Sequence, residues 1–158
     1  MAAMWAHPAT VRHFGGHPLS REESWRRLLA CTGLWPIQGF GYWAVERKED
    51  GLLVGQVGLA EFQRELHPSI KGTPEAGWVV APDACGQGIA SEGVATMLEW
   101  ADRTLNVPEI TAIIAHANSP SIKLAEKNGF GSREEALYKG EPILIFRRAS
   151  PTAAAAAA

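Results

Sequence analysis

The sequence predicts an α+β fold in which a mixed β-sheet carries helices on its faces. Segments typical of helices and of strands alternate through the middle of the chain, which favours a parallel β-α-β unit at the centre of the sheet. The apolar, β-branched run Glu109–Ala115 is typical of a buried strand in such a sheet. Since 158 residues suffice for one enclosed core and not for two full domains, we expect a single domain over residues 1–149.

The first predicted helix covers about residues 21–30. Ser20 and Glu23 fit a capping box, in which each side chain satisfies a backbone amide of the other residue. An apolar stripe at helical spacing follows, and it is expected to face the core. The stripe consists of Trp25, Leu28 and Leu29.

A β-hairpin and a third strand are expected next. Strand-forming residues occupy Tyr42–Glu46 and Leu52–Phe62, and Asp50-Gly51 between them is a turn signal. The segment His67–Pro74 has the composition of a loop. It leads into a predicted strand over Glu75–Val80.

The second half of the chain alternates helices and strands. Apolar residues recur at helical spacing from Ile89 onward, and Pro108 lies just beyond the expected end of that helix. A short helix is predicted over about residues 120–128, with Ser119 as its N-cap and Gly129 as its left-handed stop. The last predicted strands cover about residues 132–138 and 142–147.

Charge and hydropathy exclude several classes of partner. Lys plus Arg is 15 and Asp plus Glu is 17, so the net charge of -2 gives no basic excess for nucleic acid or an anionic membrane. No stretch approaches the roughly 20 apolar residues of a membrane span, and a cytoplasmic protein is expected. The histidines and cysteines show no metal-ligand spacing, so no metal is expected. Residues 150–158 end in alanines and are expected to be disordered or cloning-derived.

The most informative local feature is the glycine turn, Cys85–Ala90, which has glycine at positions 86 and 88. It lies between a predicted strand and a predicted helix, so unpaired backbone amides gather at the positive end of a helix dipole. Glycines lack Cβ atoms and let a phosphate oxygen approach the main chain. The turn therefore predicts an anion site, with a diphosphate as its natural ligand.

Several diphosphate ligands suit such a turn, and neighbouring residues narrow the choice. A nucleoside triphosphate loop needs GxxxxGK followed by Ser or Thr, which this chain lacks. A dinucleotide fold would have a third glycine where Ser91 stands and an acidic residue at the end of the next strand, near His116. These residues alone are also compatible with a tight turn that binds no ligand.

Three blocks follow one another along the chain: Glu75–Pro82, the glycine turn, and Asn118–Ser121 together with Ala125–Phe130. In order and spacing they resemble the GCN5-related N-acetyltransferase (GNAT) superfamily, and within it the branch of ribosomal-protein N-terminal (alanine or serine) acetyltransferases. The blocks look like the family's fourth strand, its pyrophosphate loop and its Asn-x-x-Ser and Glu-Lys-x-Gly-Phe motifs. The resemblance covers about residues 20–148 and implies a three-layer α/β/α sandwich around a mixed sheet.

The resemblance implies acetyl-CoA as the co-substrate. Its pyrophosphate would bind the backbone amides of residues 87–90, and its pantetheine arm would pair with the backbone of Trp78–Val80, where family members have a bulge. Asn118 would orient the cofactor. The cofactor-binding residues implied in this way are Trp78, Val79, Val80, Cys85, Gly86, Gln87, Gly88, Ile89, Ala90 and Asn118.

The resemblance also implies transfer of an acetyl group to a primary amine by direct attack in a ternary complex. We expect the Val80 amide to stabilise the oxyanion, Ser121 to protonate the departing thiolate and Glu75 to accept the ammonium proton. Glu61 is a lesser candidate for the base, and Glu75 could instead be a solvated carboxylate at the start of a strand.

The acceptor is expected to be a protein N-terminus or a small-molecule amine. Trp5 and Trp35 are candidates for lining its pocket, and the loop His67–Pro74 is a candidate for an acceptor-side flap. The other four tryptophans are more typical of a core than of a ligand site. They are Trp25, Trp43, Trp78 and Trp100.

Departures from the family pattern leave alternatives open. Cys85 replaces the usual Arg or Gln, and Ala125 stands where many members have a tyrosine acid. No first strand is apparent before residue 20, which would fit a truncated N-terminus and leave Tyr42–Glu46 as an open sheet edge unless a partner chain or loop covers it. A CoA-binding module without turnover is therefore the alternative to an enzyme, and a homodimer is compatible with the sequence.

Overall fold

The computed structural model describes residues 1–151, and the predicted tail beyond that point lies outside the described residues. The helices are α1 (Ala2–Trp5), α2 (Pro8–Val11), α3 (Arg21–Gln38), α4 (Ile89–Thr104) and α5 (Ser119–Lys127), with a short 3-10 helix at Pro82–Ala84. The strands are β1 (Tyr42–Glu46), β2 (Leu53–Ala60), β3 (Glu75–Val80), β4 (Glu109–Ala115), β5 (Ser132–Tyr138) and β6 (Glu141–Ala149).

The strands form a mixed sheet in the order β1-β2-β3-β4-β6-β5. The pair β1 and β2 is the predicted antiparallel hairpin, and β6 is antiparallel to both β4 and β5. Strands β3 and β4 are parallel, with Glu75 opposite Thr111. The predicted α+β class is therefore confirmed. The residues before β1 form helices and turns, so β1 is the edge strand that the sequence predicts.

The described residues divide into two compact units. Unit 1 comprises residues 1–60 and 78–94, and unit 2 comprises residues 61–77 and the described residues from 95 onward. Among the described residues, no helix is long and apolar enough to cross a membrane.

Unit 1 has a buried cluster around Trp5, whose side chain is 1% exposed. The Trp5 indole donates a hydrogen bond to Gln56 Oε1 at 3.1 Å, which satisfies its polar edge in the core. The expectation that Trp5 lines an acceptor pocket is therefore wrong. The members of the cluster are Met4, Trp5, Val11, Val79 and Ala81.

Helix α3 begins at the predicted capping box and runs longer than predicted. The Ser20 amide donates to Glu23 at 2.7 Å, and the Glu23 amide donates to the Ser20 hydroxyl at 3.2 Å. The helix continues through Pro36 and ends at Gly39, which is left-handed with φ 78°. The predicted end near residue 30 was therefore wrong, and Pro36, which lacks a backbone hydrogen-bond donor, lies within the last turn of the helix.

The apolar stripe of α3 was expected in the core, and the structure places it at the surface. Trp25 is 59% exposed, Leu28 39% and Leu29 54%. The face of α3 that packs inward carries Ser24, and Arg27 lies 3.9 Å from the centroid of the Trp5 ring. On this face, α3 thus contacts Trp5 through a cation–π interaction and not through its apolar stripe. Helical spacing alone could not indicate this arrangement.

Unit 2 has its own buried cluster, formed by Ile70, Ile143 and Ile145. Ile70 belongs to the predicted loop His67–Pro74, so one buried side chain of this loop packs against β6. His67 also forms an isolated β-bridge with Leu137. Ser150 is buried and its amide donates to Pro108 O at 2.9 Å, so the fold extends one residue beyond the predicted boundary at 149.

Candidate active site

The glycine turn connects the 3-10 helix after β3 to the start of α4, as the sequence predicts. Gly86 and Gly88 have φ of 77° and 82°, a region that favours glycine. A Cβ atom built on either residue would meet nothing within 4 Å, so the space beside the turn is open. Helix α4 begins at Ile89 and is 16 residues long, so its dipole is directed at this space.

Side chains hold the turn in place without filling that space. The Gln87 side-chain amide donates to Asp83 O at 2.8 Å, across the turn. The thiol of Cys85 lies 3.4 Å from Ala81 O, and the residue is exposed. The open main chain and the helix terminus suit an anionic diphosphate, so the residues present fit the predicted ligand chemistry.

The end of β3 supplies the other predicted main-chain groups in unit 1. Val79 is buried, whereas Trp78 and Val80 are partly exposed. The next amide, that of Ala81, donates to Val54 O at 2.7 Å and holds this end of β3 against β2. The backbone of Trp78–Val80 is therefore fixed by packing and by its neighbour strand.

The predicted residues of α5 lie in unit 2. Asn118 is the N-cap, because its side-chain oxygen accepts a hydrogen bond from the Ser121 amide at 3.3 Å. The prediction of Ser119 as N-cap was wrong by one residue, since Ser119 already belongs to the helix and Pro120 follows it. Ser121 lies in the first turn of α5, and it is partly buried.

Glu75 is a buried ion-pair partner and not a solvated carboxylate. Its two oxygens accept hydrogen bonds from Arg64 Nε at 2.6 Å and Arg64 Nη2 at 2.8 Å. Burial alone would lower the pKa of Arg64, but the hydrogen bond and charge of Glu75 outweigh it and raise that pKa above its usual value, with Tyr138 adding to the rise. Both carboxylate oxygens of Glu75 are therefore occupied by hydrogen bonds from Arg64.

Further contacts fix Arg64 in this position, and together they define the Arg64 cluster: Phe62, Arg64, Glu75 and Tyr138. Arg64 Nη1 donates to the Tyr138 hydroxyl at 3.0 Å. Its guanidinium carbon lies 4.8 Å from the ring centroid of Phe62 and 5.0 Å from that of Tyr138. Sequence reasoning missed this cluster, because nothing in the local pattern links residues 11 and 74 positions apart.

The lesser base candidate, Glu61, also has partners. It accepts a hydrogen bond from the Gly72 amide at 2.9 Å and another from the side-chain amide of Gln63. Both predicted carboxylates therefore stabilise the local structure of unit 2. Neither is placed as an unencumbered proton acceptor.

The other tryptophans differ in how far the structure agrees with their predicted positions. Trp35 contacts Trp43 edge to face, with ring centroids 4.9 Å apart, and its indole donates to Tyr42 O at 3.3 Å. Trp43, Trp78 and Trp100 are partly buried. Trp25 is exposed, so its expected core position was wrong.

A protein-family model described as an acetyltransferase (GNAT) domain matches residues 1–131. Because this match covers most of the chain, the protein belongs to the GNAT acetyltransferase family. The predicted superfamily is confirmed.

The chain is also similar to individual proteins. YkkB of Bacillus subtilis is 28% identical over 112 residues, which are 71% of this chain and 63% of YkkB, so this chain spans less than two thirds of that relative. A Bordetella pertussis protein assigned to the GNAT family superposes with a TM-score of 0.80 at 30% identity, over 94% of this chain and 89% of that one. Spermidine N-acetyltransferase of Vibrio cholerae, solved with CoA and spermine, superposes with a TM-score of 0.69 at 18% identity, over 94% and 87%. At that identity the likeness shows the fold alone.

Proposed function

We propose that this protein transfers the acetyl group of acetyl-CoA to a primary amine by direct attack in a ternary complex. The observation that carries the proposal is the open glycine turn at the start of α4, in a chain that belongs to the GNAT family. The CoA seen in the Vibrio cholerae structure supports the same ligand chemistry.

The turn and the end of β3 are proposed to hold the cofactor through main-chain groups. The amides of residues 87–90 would bind the pyrophosphate, because a helix N-terminus and glycines without side chains favour a phosphate group. The backbone of Trp78–Val80 would pair with the pantetheine amides in the manner of an added strand. Asn118 would contribute from the start of α5, where its side-chain oxygen already caps the helix.

The proposed reaction forms a C–N bond between the amine and the thioester carbonyl and breaks the C–S bond to CoA. The Val80 amide would donate to the carbonyl oxygen as it gains charge. Ser121 would protonate the thiolate or position a water that does so. A thiolate whose conjugate thiol has a pKa of about 8 to 9 needs little acid catalysis to leave at neutral pH, so the contribution of Ser121 to the rate is modest.

The nature of the acceptor follows from how its proton is removed. An α-amino group has a pKa of about 7.7 to 8.0 and is partly neutral near pH 7.5, whereas an alkyl ammonium with a pKa of about 10.4 is not. Since Glu75 and Glu61 are engaged in other contacts, we propose a protein N-terminus or another weakly basic small amine as the acceptor. We further propose a cytoplasmic location.

The ion pair of Glu75 also favours a second candidate function, a CoA-binding module without efficient turnover. One experiment separates the two. Calorimetry measures CoA binding, and a thiol-release assay follows acetyl-CoA with a panel of N-terminal peptides and small amines. Release well above the uncatalysed rate supports the enzyme, binding without release supports the module, and an absence of binding at millimolar CoA contradicts both.

A further inference from the structure

An open depression lies in unit 2 where β4 ends, and no role has yet been given to it. Its volume is about 480 Å³, within the range of small-molecule sites. Strand register fixes its walls, because Ala115 at the end of β4 lies opposite Ile143 of β6, and Pro142 pairs with Leu137 of β5. The lining residues are His116, Glu135, Ala136, Leu137, Pro142 and Ile143.

The two polar residues of the depression form a pair. His116 Nε2 lies 3.5 Å from Glu135 Oε1, and both side chains are largely exposed. A carboxylate accepts hydrogen bonds and cannot donate them, so this contact favours the tautomer that carries its proton on Nε2. The lone pair of the neutral ring is then on Nδ1.

His116 is close in sequence to the proposed chemistry of α5. His116 directly follows β4 and stands two residues before Asn118, whose amide donates to Ala115 O at 2.9 Å. The short connection from β4 to α5 therefore carries His116 and the cap Asn118, and the proposed acid Ser121 follows in the first turn of α5. Unlike Glu75, His116 is not bound to a permanent cation in any contact of the described residues.

We propose that His116 is the proton acceptor for the acceptor amine and that Glu135 positions its ring. This inference rests on the proposed function. As the amine nitrogen attacks the thioester carbonyl, the C–N bond forms, the C–S bond breaks, and the proton lost by nitrogen goes to His116 Nδ1. The CoA thiolate takes up a proton from Ser121 or water, and the proton that His116 then releases restores the Ser121 hydroxyl or neutralises the hydroxide. The net products are an amide and CoA thiol.

The other walls suit an amine that carries an apolar group. Leu137, Pro142 and Ile143 provide apolar surface, and the Glu135 carboxylate provides one negative charge that attracts the ammonium form. Among the six lining residues, Glu135 is the ionisable neighbour of His116. The β6 side contributes only Pro142 and Ile143, which carry no charge.

The test compares His116→Gln with a matched control. His17 Nε2 also lies 3.5 Å from a glutamate oxygen, that of Glu23, so His17→Gln removes an equivalent exposed pair in unit 1. For His116→Gln we expect kcat at pH 7 to fall about a hundredfold, as for a lost general base. The kcat of His17→Gln should match that of the wild type.

Glu135→Gln tests the positioning role with a readout besides activity. We expect kcat to fall about tenfold with little change in KM, since only the orientation of the base is lost. A long-range proton–nitrogen NMR spectrum should show the Nε2-protonated tautomer of His116 in the wild type and a mixture of tautomers in Glu135→Gln. Glu135→Asp should restore part of both properties.

The outcomes separate this inference from the proposed function. An active wild type with a His116→Gln variant that keeps its rate overturns the inference alone. A wild type that binds CoA and releases no thiol with any amine overturns the proposed function, and the inference with it. Unchanged tautomer signals in Glu135→Gln overturn the role of Glu135.

Discussion

The glycine turn of unit 1 and the Arg64 cluster of unit 2 are both polar, and they are built in opposite ways. The turn is an exposed stretch of consecutive residues whose polar groups belong to the main chain, with Gly86 and Gly88 in left-handed conformations. The cluster is partly buried and made of side chains that are distant in sequence. The comparison shows that a site built from main-chain groups requires a particular backbone conformation. A site built from side chains requires each of the interacting side chains to be present.

This difference predicts how each region responds to substitution. Side chains of the turn can change if they leave the main chain and the open space intact. In the cluster, the loss of one partner leaves another charge buried without compensation. Substitutions can therefore break the two regions separately.

The largest effect is expected from Gly88→Glu. A carboxylate about 4 Å from a phosphate charge costs about 4 kcal/mol at an effective dielectric constant of about 20, so CoA binding should weaken about a thousandfold. Calorimetry with CoA measures the change.

The control for that variant is Gly51→Glu. Gly51 has a φ of 67° and open space around it, in the β1–β2 turn, so it tests the strain of a left-handed glutamate without a ligand conflict. If both variants lose CoA binding equally, the effect is general strain and the assignment of the glycine turn is contradicted.

The next largest effect is expected from Arg64→Met, which breaks the Arg64 cluster. The buried Glu75 would lose both of its charged hydrogen bonds, and breaking such a pair costs about 3 kcal/mol of unfolding free energy. Urea denaturation measures this loss. The second substitution, Glu75→Gln, should restore part of the stability by removing the unpaired charge. A loss below about 1 kcal/mol would mean that the pair behaves as an exposed one.

Ser121→Ala is expected to have an intermediate effect on activity. Because the CoA thiolate is a good leaving group, kcat should fall only about tenfold to a hundredfold while CoA affinity is kept. Steady-state thiol release measures it. Ser119→Ala is the matched control, since Ser119 lies in the same helical turn and neither caps α5 nor has a proposed role. Equal rates for the two variants would remove Ser121 from the mechanism.

The contrast between the regions also explains how much the sequence could predict. The bounds of β1, β3 and β4, and the position of the glycine turn, were predicted because alternation, turn residues and glycines act locally. The N-cap of α5 was misplaced because Asn118 and Ser119 are both good caps, and only backbone conformation decides between them.

The partners of the side chains could not be predicted from the sequence, because they are set by contacts between distant residues and not by local signals. Glu75 carries no local sign that Arg64 will neutralise it, and the exposed stripe around Trp25 has the spacing of a buried one. The sequence shows His116 only as the residue that follows a strand, because its partner Glu135 is 19 positions away. Contacts between residues that are distant in sequence decide whether a carboxylate can act as a base or stabilises the fold.

The smallest effect is expected from Cys85→Ser, and it is the most direct test of a main-chain site. The thiol of Cys85 faces Ala81 O at 3.4 Å, a contact that a serine hydroxyl can also make. CoA affinity and kcat should therefore stay within about twofold of the wild type, as for a surface substitution. Mass spectrometry after mixing with acetyl-CoA should also show no acetylated thiol on the reaction path. A tenfold or greater loss in the variant would mean that the turn depends on a side chain as the Arg64 cluster does, and the distinction between the two regions would fail.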